Sequence, residues 1–420
     1  MTASRQRKQP SGRRRPAARA HAWQFRARFR RHAFGWRSQP AIQRVKEAVS
    51  EIKKVARADP LAAGEGAVLF LEKLSPALEH VDSSSGAIGS AVNRAIAELS
   101  AVIAAAPADP DTRAGWLERL WDAYQADEIP YIEHLGDHFG ELCGSAEVAS
   151  AWADRLIETC KMAWSPDPAL RGTFKGHTVC LSALVAAGRG EDALDLLARC
   201  PYRMWHYHQF GVKALARMGR TAEALRYAEE RFDAEQSALM MRACEDILLS
   251  TGQVDEAYAR YGLLASRAGT YLAWFRAVAA RYPHKQPADI LADLVQLSPG
   301  EEGKWFAAAK DAGLLDEAIA LARRSPCAPQ TLTRAARDFA DTNPGFALEA
   351  GMAALHWLVE GYGYEVTGLD VSSAFAHTMR AAARLDRSAE TRELVRALVA
   401  REPGPQRFVT EILGRELGLR

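Results

Sequence analysis

The chain is poor in long hydrophobic runs, in clustered cysteine and histidine, and in acid over its first 37 residues. The longest stretch without Asp, Glu, Lys or Arg is 176–188, 13 residues, whereas a helix crossing a bilayer takes roughly 20 apolar residues. No transmembrane segment is therefore expected. No apolar core follows the N-terminal charges, so no secretory signal is expected either. The six cysteines (Cys143, Cys160, Cys180, Cys200, Cys244 and Cys327) stand at least 17 residues apart. That spacing excludes a zinc knuckle and a dense disulfide framework. Scattered cysteines behave as small buried hydrophobes, and a reducing cytoplasm is the expected compartment. There is no Gly-x-x-x-x-Gly-Lys phosphate loop and no Gly-x-Ser-x-Gly elbow. These absences argue against an enzyme and call for no cofactor. Strand signals are scarce, Tyr364-Glu365-Val366-Thr367 being the one short candidate outside the N-terminal arm.

What is present is a ladder of turn residues in the second half: Gly188, Gly219, Gly252, Pro283, Gly313 and Gly345, at steps of 31, 33, 31, 30 and 32. An alanine stands five positions after each: Ala193, Ala224, Ala257, Ala288, Ala318 and Ala350. A fixed period near 32 marks repeated helical hairpins. Glycine ends each first helix because it adopts the left-handed conformation without steric cost. Acidic residues then open the next helix, as Glu191, Glu223, Asp255-Glu256 and Asp316-Glu317, where negative charge complements the helix dipole. The alanine lets the two helices approach closely. Gly144 with Ala149 repeats the spacing ahead of the ladder.

Upstream of the ladder the pattern is also helical. Ile42, Val45, Val49, Ile52 and Val55 form one apolar stripe, and Asp59-Pro60 ends that helix and begins another. Residues 61–80 and 87–106 give two more, joined by Asp82-Ser83-Ser84-Ser85-Gly86 with its N-cap oxygens. Three or four hairpins are expected before residue 165.

The rung-and-alanine pattern over about 180–360 resembles tetratricopeptide-type repeats, without their regular aromatic and closing proline. The segments Phe25–Trp36 and Gly361–Thr367 also resemble those of uncharacterised bacterial helical proteins. That resemblance implies a bacterial source and no assigned activity. The expected fold is all-α: about twenty helices in antiparallel hairpins forming a tetratricopeptide-like α-solenoid. The expected divisions are an arm at 1–37, helical hairpins at 38–165, repeats at 166–360, and a loop with capping helices at 361–420.

Four segments stand out chemically. Residues 1–37 hold twelve Arg or Lys and no acid, leaving 42 basic against 52 acidic residues in the body. Residues 1–20 lack apolar groups to bury and read as disordered. In 21–37 aromatics interleave with arginine, at a spacing that suits strand or helix equally. Arg13, Arg14, Arg15, Arg19, Arg26, Arg28, Arg30, Arg31 and Arg37, with Trp23, Phe25, Phe29 and Trp36, form a candidate polyanion surface. Arginine neutralises phosphate and aromatic faces stack on bases. The same arm suits docking on the acidic body, or contact with an acidic protein or lipid surface.

Second, Tyr202, Trp205, His206, Tyr207 and His208 open one ladder helix and suit a partner groove or core packing. His206 and His208, two apart, face different ways on a helix. Third, His134 and His138 have the one-turn spacing of a two-histidine metal site on a helix started by Pro130, although Leu135 replaces the glutamate of the metalloprotease motif. Fourth, Gly361–Gly368 interrupts the period as a capping or ligand loop. The expected function is a non-enzymatic scaffold or adaptor for a protein or peptide, with the arm on nucleic acid or another polyanion. The alternatives are a metal-dependent hydrolase using His134 and His138, and arm-mediated self-association.

Overall fold

The computed structural model describes residues 21–232, 238–404 and 407–419; Arg13, Arg14, Arg15 and Arg19 lie outside them. No strand occurs among the described residues. The expected strand at Tyr364–Thr367 is a loop, in which Gly363 and Glu365 take positive φ of 135° and 49°, values incompatible with extended pairing. The chain divides into two compact units, Met1–Asp233 and Ala234–Arg420. The division falls inside the tract expected to be one repeat array, 166–360.

The first unit contains α1 (Phe25–Arg28), α2 (Ser38–Ala56), α3 (Pro60–Leu78), α4 (Ala87–Ala105), α5 (Pro110–Gln125), α6 (Leu135–Leu142), α7 (Ala146–Ala163), α8 (His177–Ala186), α9 (Gly190–Ala198), α10 (Trp205–Arg217) and α11 (Thr221–Glu229). From α2 onward, helices pack against the next and next-but-one in sequence, the contact pattern of successive hairpins. Asp59 and Asp109 cap α3 and α5, accepting from Ala62 and Thr112 N–H at 2.9 Å each, with proline at the first helical position. The cap of α4 differs from expectation: Gly86, at φ 69°, holds the N-cap position without a side-chain oxygen bonded to the helix. By length and composition α4 could cross a bilayer. It nevertheless carries Arg94 and Glu98, packs on α2, α3 and α6, and ties Glu98 to Lys53 of α2 at 2.8 Å.

The second unit contains α12 (Ala238–Ser250), α13 (Val254–Ala257), which runs through a π-helical turn (Tyr258–Gly262) into α14 (Leu263–Ala265), then α15 (Tyr271–Arg281), α16 (Pro287–Gln296), α17 (Phe306–Asp311), α18 (Leu315–Arg324), α19 (Pro329–Phe339), α20 (Pro344–Val359), α21 (Gly368–Arg384), α22 (Ser388–Val399) and α23 (Phe408–Leu413). The same sequential packing recurs. Five of the six cysteines are buried, and all six are free.

Four ladder glycines do what the period requires. Gly188, Gly219, Gly252 and Gly313 have φ of 75–77°. Each donates its N–H to the carbonyl three back, and the following residue donates to the carbonyl five back, as Arg189 does to Leu184 at 2.9 Å. That pair of bonds closes the helix end. Ala193, Ala224, Ala257 and Ala318 are fully buried five places on. Gly144 and Ala149 follow the same rule.

Two rungs depart from it. Ala288 after Pro283 is exposed, and Ile290 takes the buried place, because Pro287 starts α16 later than a glycine turn would. Gly345 lies inside α20, which starts at Pro344 under the Asn343 cap. The comparable ends fall instead at Gly361, φ 75°, and at Asp386, φ 56°. An aspartate in that conformation is invisible to a search for glycine.

Candidate functional site

The arm is where expectation and structure part most. Residues 25–28 form a single helical turn that places Phe25 and Phe29 on the same side. Both are almost fully buried, as is Trp23. The two phenylalanines meet Phe70 of α3 edge-on, at ring separations of 5.4 and 4.9 Å. The Trp23 ring occupies the space left by Gly66, where a Cβ would come within 2.1 Å of it. Backbone bonds from His32 N–H to the Pro76 carbonyl and from Asp82 N–H to the Trp36 carbonyl, both 2.9 Å, fasten the rest. Trp23, Phe25 and Phe29 are therefore core residues and not stacking platforms, because ring burial on α3 outweighs exposure. Arg28 pairs with Glu47 at 2.9 Å and Arg31 with Glu79 at 3.6 Å. Arg26, Arg30, Trp36 and Arg37 remain exposed.

A groove of about 730 Å³ runs between α2 and α4. Its floor is the apolar stripe read from the sequence, Ile42, Val45 and Val49, joined by Ala91 and Ala95 of α4. Lys46, Lys53, Lys54, Arg57 and Arg94 surround that floor, with Glu98 the one carboxylate in the lining. Glu98 is engaged by Lys53. Among the described residues Lys46, Lys54, Arg57 and Arg94 have no carboxylate partner. The side chains of α2 that line the groove recur every three or four positions, so one helical face presents them together.

The 202–210 segment is divided between surface and interior. His208 is buried, accepting or donating at the Tyr227 hydroxyl 2.7 Å away and the Tyr202 carbonyl 3.2 Å away. Burial pushes its imidazole below the ordinary range. Tyr207 is half-buried, edge-on to Trp164 at 5.1 Å, and Trp205 meets Phe232 at 5.4 Å. Tyr202 and Met204 are exposed. The five residues thus make no single groove. As helical geometry requires, His206 faces away from His208 and remains half-exposed.

The histidine pair proposed from spacing also changes membership. Pro130 does not start α6; the helix begins at Leu135, and His134 is its N-cap residue. His134 Nδ1 lies 2.7 Å from Asp137 Oδ2, and that bond holds its imidazole above the ordinary range. His138 instead faces Glu141 at 3.5 Å. The second histidine near His134 is His206, its ring 6.0 Å away at 84°. His134 and His206 each stood out in the sequence, but their proximity required the fold. Asp137 carried no such signal.

The molecule is an all-α protein of sequentially packed helical pairs. No protein-family model matches the chain, and comparison with curated proteins finds no match. The likeness to tetratricopeptide-type repeats accordingly rests on the helical pairs themselves.

Proposed function

We propose that the protein is a non-enzymatic helical-repeat adaptor, a tetratricopeptide-like α-solenoid whose α2/α4 groove takes an acidic amphipathic helix from a protein partner. The observation that carries this reading is an apolar strip bordered by cations without carboxylate partners. The strip satisfies the apolar face of an incoming helix, and the cations satisfy glutamates flanking that face. A polynucleotide would use the cations and leave the strip uncovered. From Gln39 to Arg57 the lining of α2 spans about 27 Å at the rise of an α-helix, room for a partner helix of four or five turns. Rim charges of this kind chiefly steer association and select the partner.

Fluorescence anisotropy tests the proposal with a labelled amphipathic peptide bearing glutamates on its polar face. A lysine-substituted copy and duplex DNA serve as the comparison probes. The acidic peptide should bind saturably and more weakly as salt rises. Lys54→Glu with Arg94→Glu should weaken it about tenfold or more, at roughly 1 kcal/mol per reversed charge. Unsaturable binding of the acidic peptide, or equal binding of its lysine copy, would overturn the assignment. Preferential binding of DNA would return the site to a polyanion surface.

A further inference from the structure

His134 and Asp137 come from the start of α6, and His206 from the first turn of α10, 72 residues further along the chain than His134. One ligand-type atom from each lies within 4.8 Å of the other two. We infer that His134, Asp137 and His206 bind one divalent transition-metal ion of the zinc class.

Two imidazoles and one carboxylate suit borderline ions such as zinc and cobalt. Calcium and magnesium instead take shells built from oxygen. In a tetrahedral zinc site neighbouring ligand atoms stand about 3.3 Å apart, given metal–ligand distances near 2.0–2.1 Å. The wider spread here closes by rotation of side chains that are only partly buried. The two histidine rings are not stacked face to face; their planes stand at 84°. Stacked rings would hold their in-plane nitrogen lone pairs side by side, pointing past a shared ion.

The carboxylate is already placed. Asp137 Oδ2 is held by His134 at 2.7 Å, and Oδ1 lies 3.5 Å from Gln209 Nε2. The same Gln209 amide donates to the His206 carbonyl at 3.0 Å. Gln209 is thus a positioning residue that ties the carboxylate to the turn carrying His206, the outer-shell role that orients metal ligands. The bound ion would join α6 to α10 and leave a fourth position for water or a partner's ligand. Ligation that the unfolded chain cannot reproduce stabilises the fold.

The experiment uses the full chain, freed of metal by a chelator and titrated with ZnCl₂ by calorimetry and with CoCl₂ by visible absorption. The expected result is uptake of one ion per chain with a rise in thermal midpoint. His134→Ala and His206→Ala should each weaken uptake about 100-fold or more, and Gln209→Ala about 10-fold. His138→Ala, outside the cluster, should leave uptake unchanged. His134→Gln and His206→Gln with wild-type circular dichroism separate ligand loss from misfolding. Absence of saturable uptake by the folded wild-type chain would overturn the site. So would uptake undiminished in both histidine variants, or lost only in His138→Ala.

Discussion

The Tyr282 hydroxyl donates to Glu245 Oε1 at 2.6 Å, and Glu245 has no exposed surface. The other carboxylate oxygen lies 3.2 Å from Arg281 Nε and 3.5 Å from Arg242 Nε but accepts no hydrogen bond. The Tyr282 ring fills the space beside Gly262 at the end of the π-helical turn, where a Cβ would meet its hydroxyl at 2.6 Å. A buried carboxylate with one hydrogen-bonded oxygen depends heavily on that bond. Tyr282→Phe should cost about 1.5–3 kcal/mol in urea unfolding. Tyr258→Phe, which releases the partly buried Asp293, should cost only about 0.5–1.5 kcal/mol. Equal losses would show that the Glu245 bond has no special weight.

The ladder makes a paired prediction from one substitution at two rungs. Ala257 is fully buried and Ala288 exposed. Ala257→Trp should overpack its hairpin and cost about 1–3 kcal/mol. Ala288→Trp should stay within about 0.5 kcal/mol. Calorimetric midpoints that move together would refute the assigned phase.

Core placement of the arm's rings predicts that Phe25→Ala costs about 3–5 kcal/mol, as for other buried phenylalanines. Arg26→Ala, at an exposed position of the same turn, should change stability by less than about 0.5 kcal/mol. Chemical denaturation of the two variants checks this. An unaffected Phe25→Ala would place the arm off the body.

His177 is buried, stacked on Trp164 with ring centroids 3.9 Å apart, and burial pushes its pKa below the ordinary 6.5. The folded state therefore resists protonation more than the unfolded chain does. Above pH 6.5 both forms are neutral and this group adds no slope. As pH falls below 6.5 the unfolded state takes up the proton first, so stability declines until the lowered folded value is reached. His177→Phe should flatten that part of the stability–pH curve, whatever it does to the curve's height. An unchanged slope between about pH 6.5 and 5 would mean that His177 titrates normally.

Much of the secondary structure was legible because its determinants are local. Asp59-Pro60 and Asp109-Pro110 announce helix starts through cap oxygens and proline's fixed φ. Gly188, Gly219, Gly252 and Gly313 announce helix ends through their freedom at positive φ. Asp386 hid one such end because an aspartate gives no comparable signal, and Pro283 suggested a phase that the start of α16 overrode. The groove was half-legible: the stripe Ile42, Val45 and Val49 was evident, but the face of α4 opposite it was not.

By itself, the sequence determined that the chain is helical, where most hairpins turn, and that its N-terminal segment joins aromatic groups to positive charge. Those properties follow from backbone conformation and side-chain periodicity within a few residues. Only the tertiary structure decided that Phe25 and Phe29 bury on Phe70 while Trp36 stays in solvent, since alternating Arg and aromatic residues fit either outcome. It also decided that His134 meets Asp137 and His206 and not His138, because proximity across 72 residues depends on how successive helices pack.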